Sequence, residues 1–211
     1  MPRPSRFSEA QILDATAAIV AAGGPSAATI GAISNMLKAP SGSIYHRFAS
    51  RDVLLGRLWL SKAAFFQNRF AAALADADPA KAGLAAALSM PRAVREDLAG
   101  ARIMLLHGRD DFLDGDWPPE MAAVAIRLKH QLDDAMNEIA RRLFGRVSAE
   151  TLRLVNFAII DVPLAAVRRH VAVNEVPPRS IEDLIARTYA ALIAPARRRA
   201  RGKKSAQRGS E

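Results

Sequence analysis

Apolar positions recur three and four residues apart along nearly the whole chain, which predicts an all-α protein. A first helix opens at Ser8, with Gln11 as its capping-box partner, buries Ile12, Leu13, Ala15, Ile19 and Val20, and stops at Gly23-Gly24. Ile30, Ile33 and Leu37 give a second, short helix over 29–37. Lys38-Ala39-Pro40 interrupts it, because proline has no amide hydrogen and pushes the preceding residue out of the helical region. Ser41 to Arg47 resumes as a helix of under two turns, with Ile44 and Phe48 four apart as its core-facing pair. A fourth helix over 51–74 carries Leu54, Leu55, Leu58, Phe65, Phe66 and Phe70 and ends before Asp76-Ala-Asp-Pro79. Stretches at 79–89, 91–98 and 99–113 follow, then a loop over 114–119 and a helix to Phe144 stopped by Gly145. The segment 148–173 is apolar around most of its circumference and should kink at Pro163, and a last helix covers 180–195.

Helix, tight turn and second helix is the arrangement with which short helices enter the DNA major groove. Ser41, Gly42 and Ser43 are small, so the start of the second helix of the pair can approach a phosphate while its amides and hydroxyls donate to it. With Ile44 and Phe48 turned inward, Tyr45, His46 and Arg47 lie on the other sides of the same turns, where a phenol, an imidazole and a permanent cation can reach phosphates and base edges.

The run Ser43-Ile-Tyr-His-Arg-Phe48 followed by Ser50-Arg51-Asp52 and Leu54-Leu55 resembles the DNA-binding domain of the TetR family of bacterial transcriptional regulators, over about Phe7 to Trp59. The resemblance implies DNA contacts from Thr29, Ser41, Gly42, Ser43, Tyr45, His46 and Arg47, with Arg51 on a phosphate. It also implies a homodimer whose last two long helices form a four-helix interface, and a pocket for a small effector in the helices before them. Two positions depart from the family pattern. Lys38 stands where a turn glycine is usual, at a cost of about 1–2 kcal/mol if its φ is positive, and Gly31 replaces a polar or basic residue.

The 211 residues are 50% apolar, enough for one small and one medium domain. The expected division is a helix-turn-helix domain over 1–56, an effector-binding and dimerisation domain over 57–195, and a disordered basic tail over 196–211. The absence of cysteine removes disulfides, thiolate zinc sites and cysteine nucleophiles together. No apolar run approaches the roughly 18 residues of a membrane span, and the amino end does not look like a signal peptide, so a cytoplasmic protein without membrane association is expected, nucleoid-associated when on DNA. The formal charge of +9 is unevenly placed: residues 196–211 hold seven Lys or Arg against Glu211, so +6 sits there and only +3 on the rest. The tail reads either as a phosphate tether or as a solubilising extension, and Arg3 and Arg6 could touch DNA beside the recognition helix.

Polar residues within apolar runs, His107 and Asn156, are candidate contacts for an effector, with Trp59, Phe66, Met104 and Met121 as a mostly apolar lining. Each has an ordinary alternative: His107 can end its helix at Gly108, Asn156 can bond a neighbour, and the apolar four can be core. Asp161 can meet a ligand or pair with Arg168 or Arg169 of a second copy. Asp110, Asp111, Asp114 and Asp116 around His107 lack the fixed spacing of a metal loop, so neither catalysis nor a cofactor is expected. The chain therefore reads as a dimeric, ligand-responsive regulator, most simply a repressor on a palindromic operator of double-stranded DNA. A constitutive architectural DNA binder relying on its tail is the alternative.

Overall fold

The structure, a computed structural model, describes residues 7–112 and 117–208, which are helical with no strand. Ten α-helices run among the described residues: α1 (Glu9–Gly23), α2 (Ile30–Leu37), α3 (Ser41–Tyr45), α4 (Arg51–Ala73), α5 (Pro79–Glu96), α6 (Leu98–Leu106), α7 (Pro119–Phe144), α8 (Ala149–Asn156), α9 (Val162–Ala172) and α10 (Ser180–Arg208). They fold into two compact units. One holds the described residues up to Ala64 and Asp97–Ile126; the other holds Phe65–Glu96 and everything described from Arg127. This division differs from one at residue 56, since α6 belongs with the amino-terminal helices: Arg102 Nε donates to the carbonyl of Ala21 in α1 at 2.7 Å, and Ile103 is buried beside Val20 and Leu58. None of the described helices is long and apolar enough to cross a membrane.

The first unit has two adjoining cores. Ile12, Ala15, Ile33, Ile44, Phe48 and Leu54 close α1 to α4 around the short helices, each buried below a tenth of its surface. Val20, Ala28, Leu55, Leu58, Ile103 and Phe112 form the other. At roughly 1.5–3 kcal/mol for each large buried side chain, these plugs rather than helix propensity hold an α3 of five residues in place. Local signals set the ends. Ser8 and Gln11 form the expected capping box, Thr29 caps α2, the Ser50 hydroxyl accepts from Val53 at 3.1 Å, and Asp97 accepts from Gly100 at 2.7 Å.

In the second unit, α5, α7, α8, α9 and α10 surround a core that includes Phe70, Ile139, Val155, Ile159, Ile185 and Tyr189. Gly83 lets α5 pass close to α10: a Cβ there would overlap the Tyr189 hydroxyl and lie 3.0 Å from its Cζ. Arg92 and Arg95 of α5 both donate to the Glu182 carboxylate in the first turn of α10.

Three expectations about helix ends are corrected. The break expected near residue 90 does not occur, and α5 runs through buried Pro91. The kink expected at Pro163 takes the form of a π turn over Phe157–Asp161, where Val162 donates to Phe157 five residues back; the wider turn lies just ahead of the residue that cannot donate. The last helix, expected to stop near Pro195 before a disordered tail, continues to Arg208. Alanine, arginine, lysine and glutamine are strong helix formers, and a helix already nucleated and packed upstream extends at little cost.

Candidate nucleic-acid interface

The site is built by the turn between α2 and α3. Lys38 sits at φ 52°, ψ 42°, the left-handed conformation that normally takes glycine, and ends α2. Ala39 N–H returns to the Ser34 carbonyl at 3.0 Å, and the extended Pro40 then launches α3. The strain anticipated from the lysine is thus present. Ser43 N–H donates to the Pro40 carbonyl at 2.9 Å, so the amides ahead of it, at Ser41 and Gly42, are those that a helix start leaves without carbonyl partners.

Burial divides α3 as its spacing suggests. Ile44 and Phe48 are fully buried, whereas Tyr45 is 54% exposed, His46, Ser41 and Gly42 are exposed, and Ser43 and Arg47 are half-buried. The Tyr45 hydroxyl has no hydrogen-bond partner among the described residues. A Cβ added at Gly42 would meet nothing within 4 Å, so packing within the chain does not demand glycine there; close approach from outside would. Thr29 is exposed at the head of α2, its hydroxyl oxygen accepting from Ala32 N–H at 3.1 Å while its hydrogen stays available to an acceptor. Exposed Met36 and Lys38 border the same turn; Lys38 is a departure from the family pattern in the sequence, and its charge beside α3 is legible there too.

Arg51, which the resemblance implies as a phosphate contact, is also bonded within the chain. Its Nε donates to the Ala28 carbonyl at 3.0 Å and its Nη2 to the Pro25 carbonyl at 2.6 Å, both within the loop and 3₁₀ turn (Pro25–Ala27) that lead into α2. The guanidinium therefore clamps the start of α4 to the start of α2. Arg3 and Arg6 lie outside the described residues.

The candidate effector residues fall into separate groups. Trp59, Met104, His107 and Met121 belong to the first unit, Phe66 and Asn156 to the second. Met121 is buried, and Trp59 stacks edge-on with Trp117, ring centroids 5.6 Å apart. His107 terminates α6 in extended conformation, with its ring against Phe112 and over Gly24. Asn156 lines an open groove of about 950 Å³ with Met136, Leu152, Phe157 and Asp161, and its Nδ2 donates to the Asp161 carboxylate at 3.0 Å. Asp111 accepts from Gly108 N–H at 2.6 Å, Asp110 meets Arg109, and Asp114 and Asp116 lie outside the described residues; no group of three metal-binding side chains occurs among those described.

Residues 12–58, from α1 into α4, match the family of bacterial regulatory proteins, tetR family. No curated protein matches the chain by sequence. Among solved structures, the transcriptional regulator FadR from Bacillus subtilis in complex with stearoyl-CoA superposes with a TM-score of 0.66 at 15% identity, over 88% of this chain and 98% of FadR. A TetR-like transcriptional regulator from Rhodococcus sp. RHA1 gives 0.64 at 17% identity, over 90% and 96%. The TetR family transcriptional regulator PfmR from Thermus thermophilus gives 0.63 at 22% identity, over 86% and 96%. At such identities the likeness is one of fold.

Proposed function

We propose that this chain, a tetR-family transcriptional regulator by its residues 12–58, represses transcription as a homodimer on a palindromic operator and is released by a small, mostly apolar effector. The observation that carries the DNA-binding half is the partition of α3 and the turn after it: Ile44 and Phe48 lock it to the core, and Tyr45 and His46 remain exposed beside a helix start stripped of bulk. An α3 of five residues reads few bases, so useful specificity calls for two copies on half-sites about 34–36 Å apart. Support for a second copy comes from α9 and α10, where Val162, Ala165, Ala166, Leu184 and Thr188 line a shallow groove and Leu184 is 60% exposed. A DNA-bound regulator of this kind works in the cytoplasm.

Release needs a ligand that prefers the conformation unable to hold both half-sites. Support for such coupling lies in α6, which is tied to the DNA-binding helices by Lys62 of α4 to Asp97 at 2.8 Å and by Arg102 to Ala21. A neighbour of the same fold holds stearoyl-CoA, which agrees with an effector that has a long apolar part. The test is selection of genomic fragments by the purified protein near physiological salt, with Tyr45→Ala in parallel. Recovery of a few palindromic sites, lost with Tyr45→Ala in a protein that melts normally, is the expected result. Fragments sharing no site would favour an architectural binder instead.

A further inference from the structure

Lys38 breaks a rule that the other helix ends keep. Among the described residues φ is positive at Gly24, Lys38, Gly145 and Asn174, each just past the end of a helix. Glycine takes such a conformation without a Cβ penalty, and asparagine offsets it with a local hydrogen bond. Lysine does neither, so the turn between α2 and α3 holds a strained backbone that glycine or asparagine would relieve. Strain of this kind collects at functional sites.

What the lysine adds is charge. Residues 29–46 contain no carboxylate and one formal charge, that of Lys38. The side chain is exposed and has no ion-pair partner among the described residues, whereas Arg51 spends two donors on carbonyls. Attraction to the negative end of α2 does not account for it, because a lysine within the last helical turn would gain the same attraction without a positive φ.

We infer that Lys38 is a phosphate contact, its ammonium set on the backbone of double-stranded DNA beside the groove that α3 would enter. Taking DNA as the partner rests on the function proposed above. In a helix-turn-helix the first helix crosses the DNA backbone while the second lies in the groove, and Lys38 stands where the first ends. Three residues span at most about 11 Å, which keeps Lys38 within about three phosphate steps, at roughly 3.4 Å of axis each, of any phosphate that Ser41 meets. A lysine ammonium is a flexible point charge rather than a planar fork, which suits a phosphate and adds affinity rather than base preference.

The test uses the full chain and three variants. Lys38→Asn removes the charge with a residue that tolerates positive φ, Lys38→Arg keeps the charge, and Lys81→Gln removes an exposed cation of the second unit. Binding to a random-sequence duplex is followed by fluorescence anisotropy between about 50 and 200 mM salt, with melting followed by circular dichroism. Lys38→Asn should melt no lower than the wild type, yet reduce the slope of log affinity against log salt by about 0.9 per bound chain. Over that rise in salt the wild type then loses roughly threefold more affinity per chain than the variant. Lys38→Arg should keep the wild-type slope, and Lys81→Gln should change it by clearly less than Lys38→Asn. An unchanged slope in Lys38→Asn, an equal loss in Lys81→Gln, or a loss in Lys38→Arg as large as in Lys38→Asn overturns the inference. If Lys38→Asn melts lower, Lys38→Gly supplies the same comparison of slopes. The genomic selection described above judges the operator function separately: a wild type that selects no site defeats that function while the slope still decides Lys38, and a wild type that binds no duplex defeats both.

Discussion

Replacing Arg51 by alanine separates a structural clamp from a DNA contact. In the folded chain its guanidinium serves two carbonyls, those of Pro25 and Ala28, whose residues are both buried. A hydrogen bond from a charged donor is worth about 1.5–3 kcal/mol. The side chain is 31% exposed, so water replaces part of each bond, and about 2–3 kcal/mol is the expected loss. For a chain of this size that corresponds to a fall of roughly 4–12 °C in its melting temperature. Arg51→Lys should lose nearly as much, because an ammonium cannot reproduce the fork that holds two carbonyls at once. Differential scanning calorimetry of wild type, both Arg51 variants and Tyr45→Ala makes the comparison. Tyr45→Ala should melt with the wild type, since a half-exposed phenol with no partner contributes little to folding. Should Arg51→Ala melt within 1 °C of wild type and instead weaken DNA binding uniformly, with a salt slope smaller by about 1, the clamp would be wrong and the phosphate contact right.

Lys38→Gly should raise the melting temperature by up to about 6 °C: relief of about 1–2 kcal/mol at a positive φ is partly offset by about 0.5–1 kcal/mol of added freedom in the unfolded chain. Lys38→Ala keeps the strain and should show no such gain. Gly83→Ala should cost about 1–3 kcal/mol in urea unfolding by forcing Tyr189 aside. Adding Tyr189→Phe should restore only part of it, because Cζ remains 3.0 Å from the new methyl. Burial, partly countered by Arg197 and reinforced by Asp78, pushes the Tyr189 phenol up to about 12. That pKa is raised on folding, so its share of stability is complete below the ordinary value of about 10 and is lost as pH rises through 12; Tyr189→Phe should flatten this alkaline limb. For Glu182 burial opposes ionisation, but hydrogen bonds and charge from Arg92 and Arg95 outweigh it and hold the carboxyl below its usual range. Its stabilisation is therefore present above about 4.3 and fades as pH falls below that, so Glu182→Gln should have a shallower acid limb in stability against pH.

Most helices were legible because their spacing and caps are local. Ile12, Val20, Ile44 and Phe48 announce their faces in the sequence, and Ser8, Thr29, Asp97 and Ser148 cap helices as their residue types suggest. The misread ends all involve proline or charge, where a local rule met a wider context. Pro91 lies within a helix whose neighbours bury it, and the carbonyl it leaves unpaired costs less than breaking α5 would. Residues past Pro195 have a composition that cannot fold alone, yet they extend a helix whose preceding turns are already fixed by Tyr189 and Ile193. The grouping of α6 with α1 to α4 was not legible, because it depends on long-range contacts such as Arg102 to Ala21, 81 residues apart.

The candidate DNA-facing residues stand out in the sequence for a different reason from the core. Tyr45 and Gly42 stand out because nothing among the described residues requires them: one is an exposed ring without a hydrogen-bond partner there, the other an open position where a side chain would meet nothing within 4 Å. Arg51 looks equally functional in sequence, being a cation at a helix start beside α3, but two of its five donors are spent on backbone carbonyls and its Nη1 faces Asp52. Residue type and position along the chain cannot separate these cases, because both place a polar group near the same turn. The separation comes from where each donor and acceptor is satisfied, and for a buried carbonyl that accounting is strict. A donor engaged internally must give up its bond before it can contact a ligand, whereas Tyr45 gives up only water. By that measure Tyr45 and the Thr29 hydroxyl hydrogen are the groups from which the proposed DNA contacts would come at least cost, and Arg51 holds the start of α2, where Thr29 stands.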